Sequence, residues 1–227
     1  MKRRKIWIFI AALGFIAGIA VNVPSAQSPV PLPKVLIIGD SISLGYTPFV
    51  KEILGGRAEV FHNTGNAQHT GTGLEKIHEW LGGQKWDVIH FNWGLWDLCY
   101  RHPEAKNVGN RDKVNGLLTH TLEQYEQNLR ELVKILKTTG AVLIWCSTTP
   151  VPEGEAGRIK GDEIEYNRVA GRIMGENGIP INDLHSFALL GTPEIQAGEG
   201  NVHFTKDGSR YLAERVAESI MKVYQKR

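Results

Sequence analysis

The chain has 227 residues, of which 42% are hydrophobic and 22% are charged, and its formal net charge at pH 7 is +2. This length and composition fit one globular domain with enough apolar residues for a core, and they exclude a fibrous or intrinsically disordered chain. No stripe of lysine and arginine occurs in the body of the chain, so the sequence indicates no nucleic-acid partner.

The first 26 residues have the order of a secretory signal. Four basic residues at positions 2–5 precede an uncharged apolar run over residues 6–21, and Pro24, Ser25 and Ala26 follow it. We therefore expect a signal peptide at residues 1–26 and export to the periplasm or the extracellular space. The run is shorter than the ~20 residues that a spanning helix needs. A membrane partner is expected only if the signal is retained as an anchor.

Removal of residues 1–26 would leave 22 basic against 24 acidic residues. The positive formal charge therefore belongs to the signal. The remaining chain holds two cysteines, Cys99 and Cys146. An exported protein can join them in a disulfide, and two buried free thiols are the alternative. Neither cysteine stands in a metal-ligand spacing.

The most informative stretch is residues 34–46, KVLIIGDSISLGY. Four apolar residues, 35–38, run into a glycine, which is typical of a buried strand of a parallel sheet. Apolar residues spaced for a helix follow, so Ser41 lies between the end of a strand and the start of a helix. Open α/β sheets bind ligands there, and a helix N-terminus favours developing negative charge. Ser41 is a candidate nucleophile, and helix capping by Asp40 and Ser41 is the alternative.

The rest of the chain alternates between predicted strands and helices, which indicates a parallel sheet covered on both sides. Residues 34–227 therefore form one predicted domain. Glycine-containing polar loops are expected at 62–73 and from residue 94 to about 115. Further strands are expected at 58–61, 86–93, 141–146 and 179–181, and helices at 74–81, 118–138, 161–176 and 204–224.

His203 is the candidate partner of Ser41. It lies in the loop that leads into the last predicted helix, and in a doubly wound sheet that loop can reach the edge where Ser41 lies. Histidine is a suitable general base because its ordinary pKa lies near neutrality. A role in helix initiation or packing is the alternative.

Four motifs in order along the chain carry a family resemblance. They are GDSIS at 39–43, the glycine-rich loop at 62–73, Gly94-Leu95-Trp96-Asp97, and VHFT at 202–205. Over residues 34–225 the chain resembles the SGNH, or GDSL, hydrolase superfamily. The resemblance implies a flavodoxin-like three-layer α/β/α sandwich with a parallel five-stranded sheet. It also implies a serine esterase with Ser41 as nucleophile and His203 as base, without a metal or an organic cofactor.

The resemblance departs from the family in the third motif, where Gly-x-Asn-Asp normally places an asparagine side chain on the oxyanion. Here the third position is Trp96. The side-chain donor is therefore either the Trp96 indole or Asn92, which lies on the same strand face by alternation. The expected backbone donors are the N–H groups of Ser41, of Gly65, and of Ala67 or Gln68.

The last motif also departs from the family, in which Asp-x-x-His supplies a carboxylate to orient the imidazole. Gly200 stands at the aspartate position. Glu199 or a backbone carbonyl could take over that role. Asp183 is a third possibility, although turn capping suits it better. We expect Asp40 and Asp97 to support the site by hydrogen bonds to its loops.

Three functions follow from this sequence. The first is an exported serine esterase that removes a small acyl group, acetyl above all, from a carbohydrate, a polysaccharide or another small ester. The second is a lipase or thioesterase acting on longer acyl chains. The third is an inactive glycan-binding module that has kept the fold and lost the two family side chains described above.

Overall fold

The computed structural model of the protein describes residues 31–107 and 109–224. The described residues from Leu32 onward form one compact unit. The predicted signal peptide lies outside them.

The core of the unit is a five-stranded sheet in which every neighbouring pair of strands is parallel. The five strands are β1 (Lys34–Ile38), β2 (Glu59–His62), β3 (Val88–Phe91), β6 (Val142–Cys146) and β7 (Ile181–Asn182). Their order across the sheet is β2-β1-β3-β6-β7, which matches the flavodoxin-like order. The predicted fold class is therefore confirmed.

The central strands are continuous apolar runs because both of their faces are covered. Val35, Leu36, Ile37 and Ile38 of β1 are at most 2% exposed, and all four residues of β3 are buried. Each such aliphatic side chain contributes about 1.5–3 kcal/mol when it is fully buried. The only polar residue in β3 is His90, and burial lowers its pKa to about 3.

The described helices are α1 (Ser41–Ile53), α2 (Thr70–Leu81), α3 (Leu122–Lys137), α4 (Asp162–Asn177), α5 (Leu184–Gly191) and α6 (Lys206–Tyr224). They pack in two groups. Helix α1 packs on α6, which also contacts α5, whereas α3 packs between α2 and α4. The α1–α6 contact joins the first described helix to the last.

Helix α2 begins four residues earlier than the sequence predicts. The His69 side chain accepts a hydrogen bond from the Thr72 amide, and the Thr70 amide donates to Asp97. Glycine at 71 and 73 suggested a flexible loop, but Gly73 allows close packing instead. A Cβ atom at Gly73 would lie 2.9 Å from the Trp93 ring. The glycine is therefore required by tertiary contact.

Three elements were not predicted from the sequence. Strands β4 (Tyr100–Arg101) and β5 (Leu117–Leu118) form a small antiparallel sheet inside the expected loop. Helix α5 follows β7, and Asp183 caps its N-terminus by accepting the Ser186 amide. These elements are short, and two-residue strands leave too little periodicity to be read from sequence.

Cys99 and Cys146 are both buried and both free. Among residues 31–107 and 109–224, no helix has the length and hydropathy of a membrane span.

Candidate active site

Ser41 and His203 meet, although 162 residues separate them in the chain. The Ser41 Oγ atom lies 2.9 Å from His203 Nε2. Ser41 is the first residue of α1, and His203 lies three residues before α6. Because α1 and α6 pack against each other, their N-terminal ends bring the two side chains together.

Asn201 holds the other side of the imidazole. Its Oδ1 atom accepts the His203 backbone N–H at 3.0 Å and lies 2.8 Å from His203 Nδ1. The atom facing the backbone N–H must be the amide oxygen, so Nδ1 carries the proton and donates to it. Nε2 is then left free to accept the Ser41 hydroxyl proton. This is the tautomer that a general base requires.

The structure explains why the family aspartate is missing. Gly200 has a φ of +64°, and a Cβ atom there would lie 2.8 Å from the Gly154 carbonyl oxygen. No side chain fits this position without moving the loop that contains Gly154. Glu199 is exposed and makes no hydrogen bond to His203 within the described residues, and Asp183 caps α5. The expected orienting groups are therefore replaced by Asn201, which sequence reasoning missed.

The pKa of His203 lies below its ordinary value. Desolvation is the largest cause, and the positive charges of Arg158 and Arg111 lower the pKa further. Glu155 acts in the opposite direction with a smaller effect. His203 is therefore neutral at pH 7, as a proton acceptor must be.

Three of the predicted oxyanion donors, the Ala67 and Gln68 amides and the Asn92 side chain, donate to other groups. The Ala67 amide donates to the Gly39 carbonyl at 3.0 Å. The Asn92 side chain donates to the Cys146 carbonyl at 2.7 Å and to Thr148 Oγ1 at 3.2 Å. Asn92 therefore fastens β3 to the end of β6, and the structure does not bring it to the cavity at Ser41.

Two other candidate donors, the Ser41 amide and the Asn66 side chain, belong to residues that line this cavity. The Ser41 amide donates no hydrogen bond among the described residues, as expected for the first residue of a helix. Asn66 lines the same cavity as Ser41, and its Oδ1 atom accepts the Gln68 amide at 2.8 Å. Gly65 is exposed and does not line that cavity. Asn66 was not predicted as a donor from the sequence.

The two tryptophans at the end of β3 have different surroundings. Trp93 is 1% exposed and its indole N–H donates to the Ala67 carbonyl, so its ring is a core element. Trp96 lines the cavity, and the Arg101 guanidinium lies over its ring at 4.2 Å from the centroid. That face of Trp96 is covered by arginine and is closed to a sugar ring.

Asp40 and Asp97 lie in hydrogen-bond networks that fix the site loops. The Asp40 carboxylate accepts the Ile42 amide at 2.9 Å and so caps α1 next to Ser41. Asp97 accepts from the Thr70 hydroxyl and amide and lies 2.8 Å from His120 Nδ1. Both aspartates position backbone, and neither touches His203.

The cavity beside Ser41 and His203 has a volume of about 630 Å³, which is within the range of small-molecule sites. Three arginines line it, Arg101, Arg111 and Arg158. No group of three or more His, Cys, Asp or Glu side chains in the described part of the chain is arranged to hold a metal ion.

The fold has close counterparts among solved structures. A variant of an acetyl xylan esterase from Geobacillus stearothermophilus has 22% identical residues and a TM-score of 0.65, with 83% of this chain and 94% of that chain covered. A lipase/acylhydrolase from Enterococcus faecalis has 19% identity and a TM-score of 0.66, with 83% and 95% covered. A GDSL-like lipase from Bacteroides thetaiotaomicron has 18% identity and a TM-score of 0.61, with 84% and 88% covered.

This chain has the fold of GDSL-type hydrolases. The resemblance inferred from the four motifs is thus confirmed at the level of the fold. No protein-family model and no curated protein matches the sequence. At these identities the fold has persisted while most side chains have changed, so the function has to be argued from the site.

Proposed function

We propose that the protein is a serine ester hydrolase with a Ser41–His203–Asn201 catalytic arrangement. The observation that carries this proposal is the pair of hydrogen bonds on His203. Nε2 faces the Ser41 hydroxyl at 2.9 Å, and Nδ1 faces Asn201 at 2.8 Å. Nucleophile, base and orienting group are thus in line at the wall of an open cavity.

The mechanism follows from these atoms. His203 Nε2 takes the Ser41 proton as Oγ attacks the ester carbonyl, and the imidazolium then returns that proton to the leaving alcohol. Water attacks the acyl-enzyme in the second half by the same route. The Asn201 oxygen accepts the Nδ1 proton throughout and keeps the ring in place. Asn201 carries no charge, so it stabilises the imidazolium less than an aspartate would.

The oxyanion would be held by donors at the start of α1. The Ser41 amide points from a helix N-terminus, where positive partial charge favours an anion. The Asn66 side chain would supply the second donor, in place of the asparagine that the third family motif lacks. Its Nδ2 group has no hydrogen-bond partner among the described residues.

The substrate is proposed to be a small ester, with acetyl on a carbohydrate as the first candidate, and the protein is proposed to be exported. The comparison that supports acetyl is the acetyl xylan esterase with the same fold. The cavity is lined mostly by polar and charged residues. Because long acyl chains need apolar surface, this lining weighs against a lipase.

The test is hydrolysis of p-nitrophenyl acetate and p-nitrophenyl octanoate by the unmutated protein and by His203→Ala. We expect the acetate to be cleaved faster and the variant to lose activity with both esters. Faster cleavage of the octanoate would favour the lipase. A folded unmutated protein that cleaves neither ester would overturn the proposal and favour a glycan-binding module.

A further inference from the structure

Three guanidinium groups line the cavity that holds Ser41 and His203. We call Arg101, Arg111 and Arg158 the arginine cluster. Arg101 lies in β4, Arg111 forms a backbone bridge with it, and Arg158 follows the loop that contains Glu155. Two segments of the chain, one with Arg101 and Arg111 and the other with Arg158, thus place positive charges along the same cavity.

The backbone around the cluster is closely packed. The Tyr100 amide donates to the Gly157 carbonyl at 2.7 Å, and the Lys113 amide donates to the Ala156 carbonyl at 2.9 Å. A Cβ atom at Gly157 would lie 2.9 Å from the Tyr100 carbonyl oxygen. These contacts join the backbone of the two segments that carry the arginine cluster.

One carboxylate forms ion pairs with two of the three arginines. Glu155 is fully buried, and its Oε1 atom lies 2.6 Å from Arg111 Nη1 and 3.0 Å from Arg158 Nη1. Arg101 forms no ion pair with any carboxylate in the described part of the chain, and it donates through Nη1 to the Gly109 carbonyl. The cluster therefore carries more positive charge than its direct partner neutralises.

Donor groups remain available on two members of the cluster. Arg158 uses Nε on the Leu95 carbonyl and Nη1 on Glu155, and no described residue accepts from its Nη2. Arg101 uses only Nη1, so its Nε and Nη2 groups have no acceptor among the described residues. An arginine edge with free N–H groups matches the geometry of a carboxylate.

Two other carboxylates, Asp40 and Glu199, line the same cavity. Asp40 is buried and accepts the Ile42 amide, and Glu199 is exposed. Neither forms an ion pair with Arg101 or Arg158. The effect of the cluster reaches the imidazole, because Arg158 and Arg111 lower the pKa of His203 more than Glu155 raises it. At the imidazole, the arginine cluster therefore outweighs Glu155.

We propose that the preferred substrate is an ester that carries a carboxylate, and that Arg101 and Arg158 bind this group beside Ser41. The inference rests on the proposed ester hydrolysis and names its substrate class. The carboxylate can belong to the alcohol, as in an acylated acidic sugar, or to a dicarboxylic acyl group. Both sources present the same chemistry to the arginine cluster, and matched substrates distinguish them.

The first experiment compares esters that differ only in charge. For the alcohol side the pair is p-acetoxybenzoate and its methyl ester. For the acyl side it is p-nitrophenyl hydrogen adipate and p-nitrophenyl methyl adipate. In one pair we expect kcat/KM to be roughly 10- to 100-fold higher for the anion, the effect of a charge-assisted hydrogen bond. Equal values, or a preference for the neutral ester in both pairs, would overturn the proposal.

A second experiment tests the arginine directly. Arg101→Gln should lower the ratio of anionic to neutral kcat/KM by about 10-fold or more, and Arg101→Lys should retain part of it. The matched control is Arg168→Gln, since Arg168 pairs with Glu165 on the surface of α4, and its ratio should match that of the unmutated protein. If Arg101→Gln does not fold, Arg158→Gln takes its place. An unchanged ratio in a folded cluster variant would overturn the proposal.

Failure of the proposed function has a different signature. Cleavage of p-nitrophenyl acetate is measured beside the matched pairs, and its absence would overturn ester hydrolysis alone. The carboxylate site is then tested by binding of p-hydroxybenzoate against its methyl ester, measured by calorimetry. Tighter binding of the anion, lost in Arg101→Gln, would support the site in an inactive protein. Equal or absent binding of the two compounds would overturn it.

Discussion

In the described part of the chain, two serine–histidine pairs lie at the start of α1, and they face cavities of very different size. Ser41 Oγ is 2.9 Å from His203 Nε2, and Ser43 Oγ is 2.6 Å from His62 Nε2. In both pairs the far nitrogen of the ring faces an oxygen, that of the Asn201 side chain or of the Asn63 backbone. In the hydrogen bonds made by the two imidazole rings, the pairs are alike.

Their surroundings differ. Ser43 is 2% exposed, its hydroxyl also lies 2.7 Å from the Asp40 carbonyl, and a Cβ atom at Gly39 would lie 2.7 Å from it. A cavity that Ser43 lines has a volume of about 10 Å³, which is no larger than one water needs. An ester carbonyl cannot reach this serine. The Ser43–His62 pair therefore joins α1 to β2, whereas the Ser41–His203 pair is open to substrate.

The largest expected effect separates the two serines. Ser41→Ala should reduce kcat/KM for p-nitrophenyl acetate by roughly 10⁴-fold or more, as loss of a nucleophile does in serine hydrolases. Ser43→Ala should keep kcat/KM within about 10-fold and instead lose about 1–3 kcal/mol of stability, because His62 is left without its partner. Steady-state kinetics and urea denaturation measure the two quantities.

The opposite result would assign catalysis to Ser43 and a structural role to Ser41. If Ser43→Ala were folded but inactive and Ser41→Ala retained most of its activity, the exposed pair would not be the catalytic one. Circular dichroism of both variants separates loss of activity from loss of fold.

The sequence was informative where a single physical rule dominates. Residues 35–38 form a continuous apolar run bounded by a glycine, which is typical of a strand in a parallel sheet covered on both faces, so β1 and the position of Ser41 could be predicted. The pairing with His203 needed only the rule that strand ends and the following loops meet at one edge.

The rest of the site depends on contacts that the sequence does not express. Asn201 orients His203 because Gly200 packs against Gly154, which is 46 positions earlier in the chain. The one local signal was an asparagine two residues before a histidine, since such a side chain commonly bonds backbone two residues on. Asn92 was offered as an oxyanion donor, but its side-chain amide donates to the Cys146 carbonyl at the end of β6, a neighbouring strand that only the sheet order reveals.

The two histidines differ in the group that accepts the hydrogen bond from Nδ1. His62 is held by a backbone carbonyl, which no side-chain change removes, whereas His203 is held by Asn201. Asn201→Ala should lower kcat by roughly 10²-fold because the imidazole loses its fixed tautomer and orientation. Asn201→Asp should keep the orientation and add a negative charge. Its kcat/KM profile should therefore begin to rise at a higher pH than that of the unmutated protein.

Both variants are measured over pH 4–9 with p-nitrophenyl acetate. Unchanged kcat in Asn201→Ala would mean that the hydrogen bond to Nδ1 is not needed for catalysis. An Asn201→Asp profile that rises at lower pH would contradict the assigned tautomer.

A smaller effect concerns the pH profile of the unmutated protein. Desolvation, Arg158 and Arg111 hold the pKa of His203 below 6.5, and the base must be neutral to act. The acid limb of kcat/KM should therefore lie below pH 6.5, with a plateau at neutral pH. Arg111→Gln should raise the pKa of His203 and move this limb to higher pH. A limb that stays in place in a folded Arg111→Gln would contradict the electrostatic influence of the arginine cluster.

The smallest expected effect is on folding stability. His62 of the Ser43–His62 pair does not face the cavity at Ser41, so its titration should change stability and not activity. Burial lowers the pKa of His62, so protons bind preferentially to the unfolded chain. The stabilisation is complete above pH 6.5, the ordinary pKa of histidine, and declines as the pH falls below it. His62→Gln should therefore lose less stability between pH 7.5 and pH 5, by at most about 1.4 kcal/mol per pH unit. Urea denaturation at both values measures the difference, and His90 contributes equally to both proteins. The same acid-induced loss in both would mean that His62 is not buried neutral, and the two pairs would then differ in solvation less than their geometry indicates.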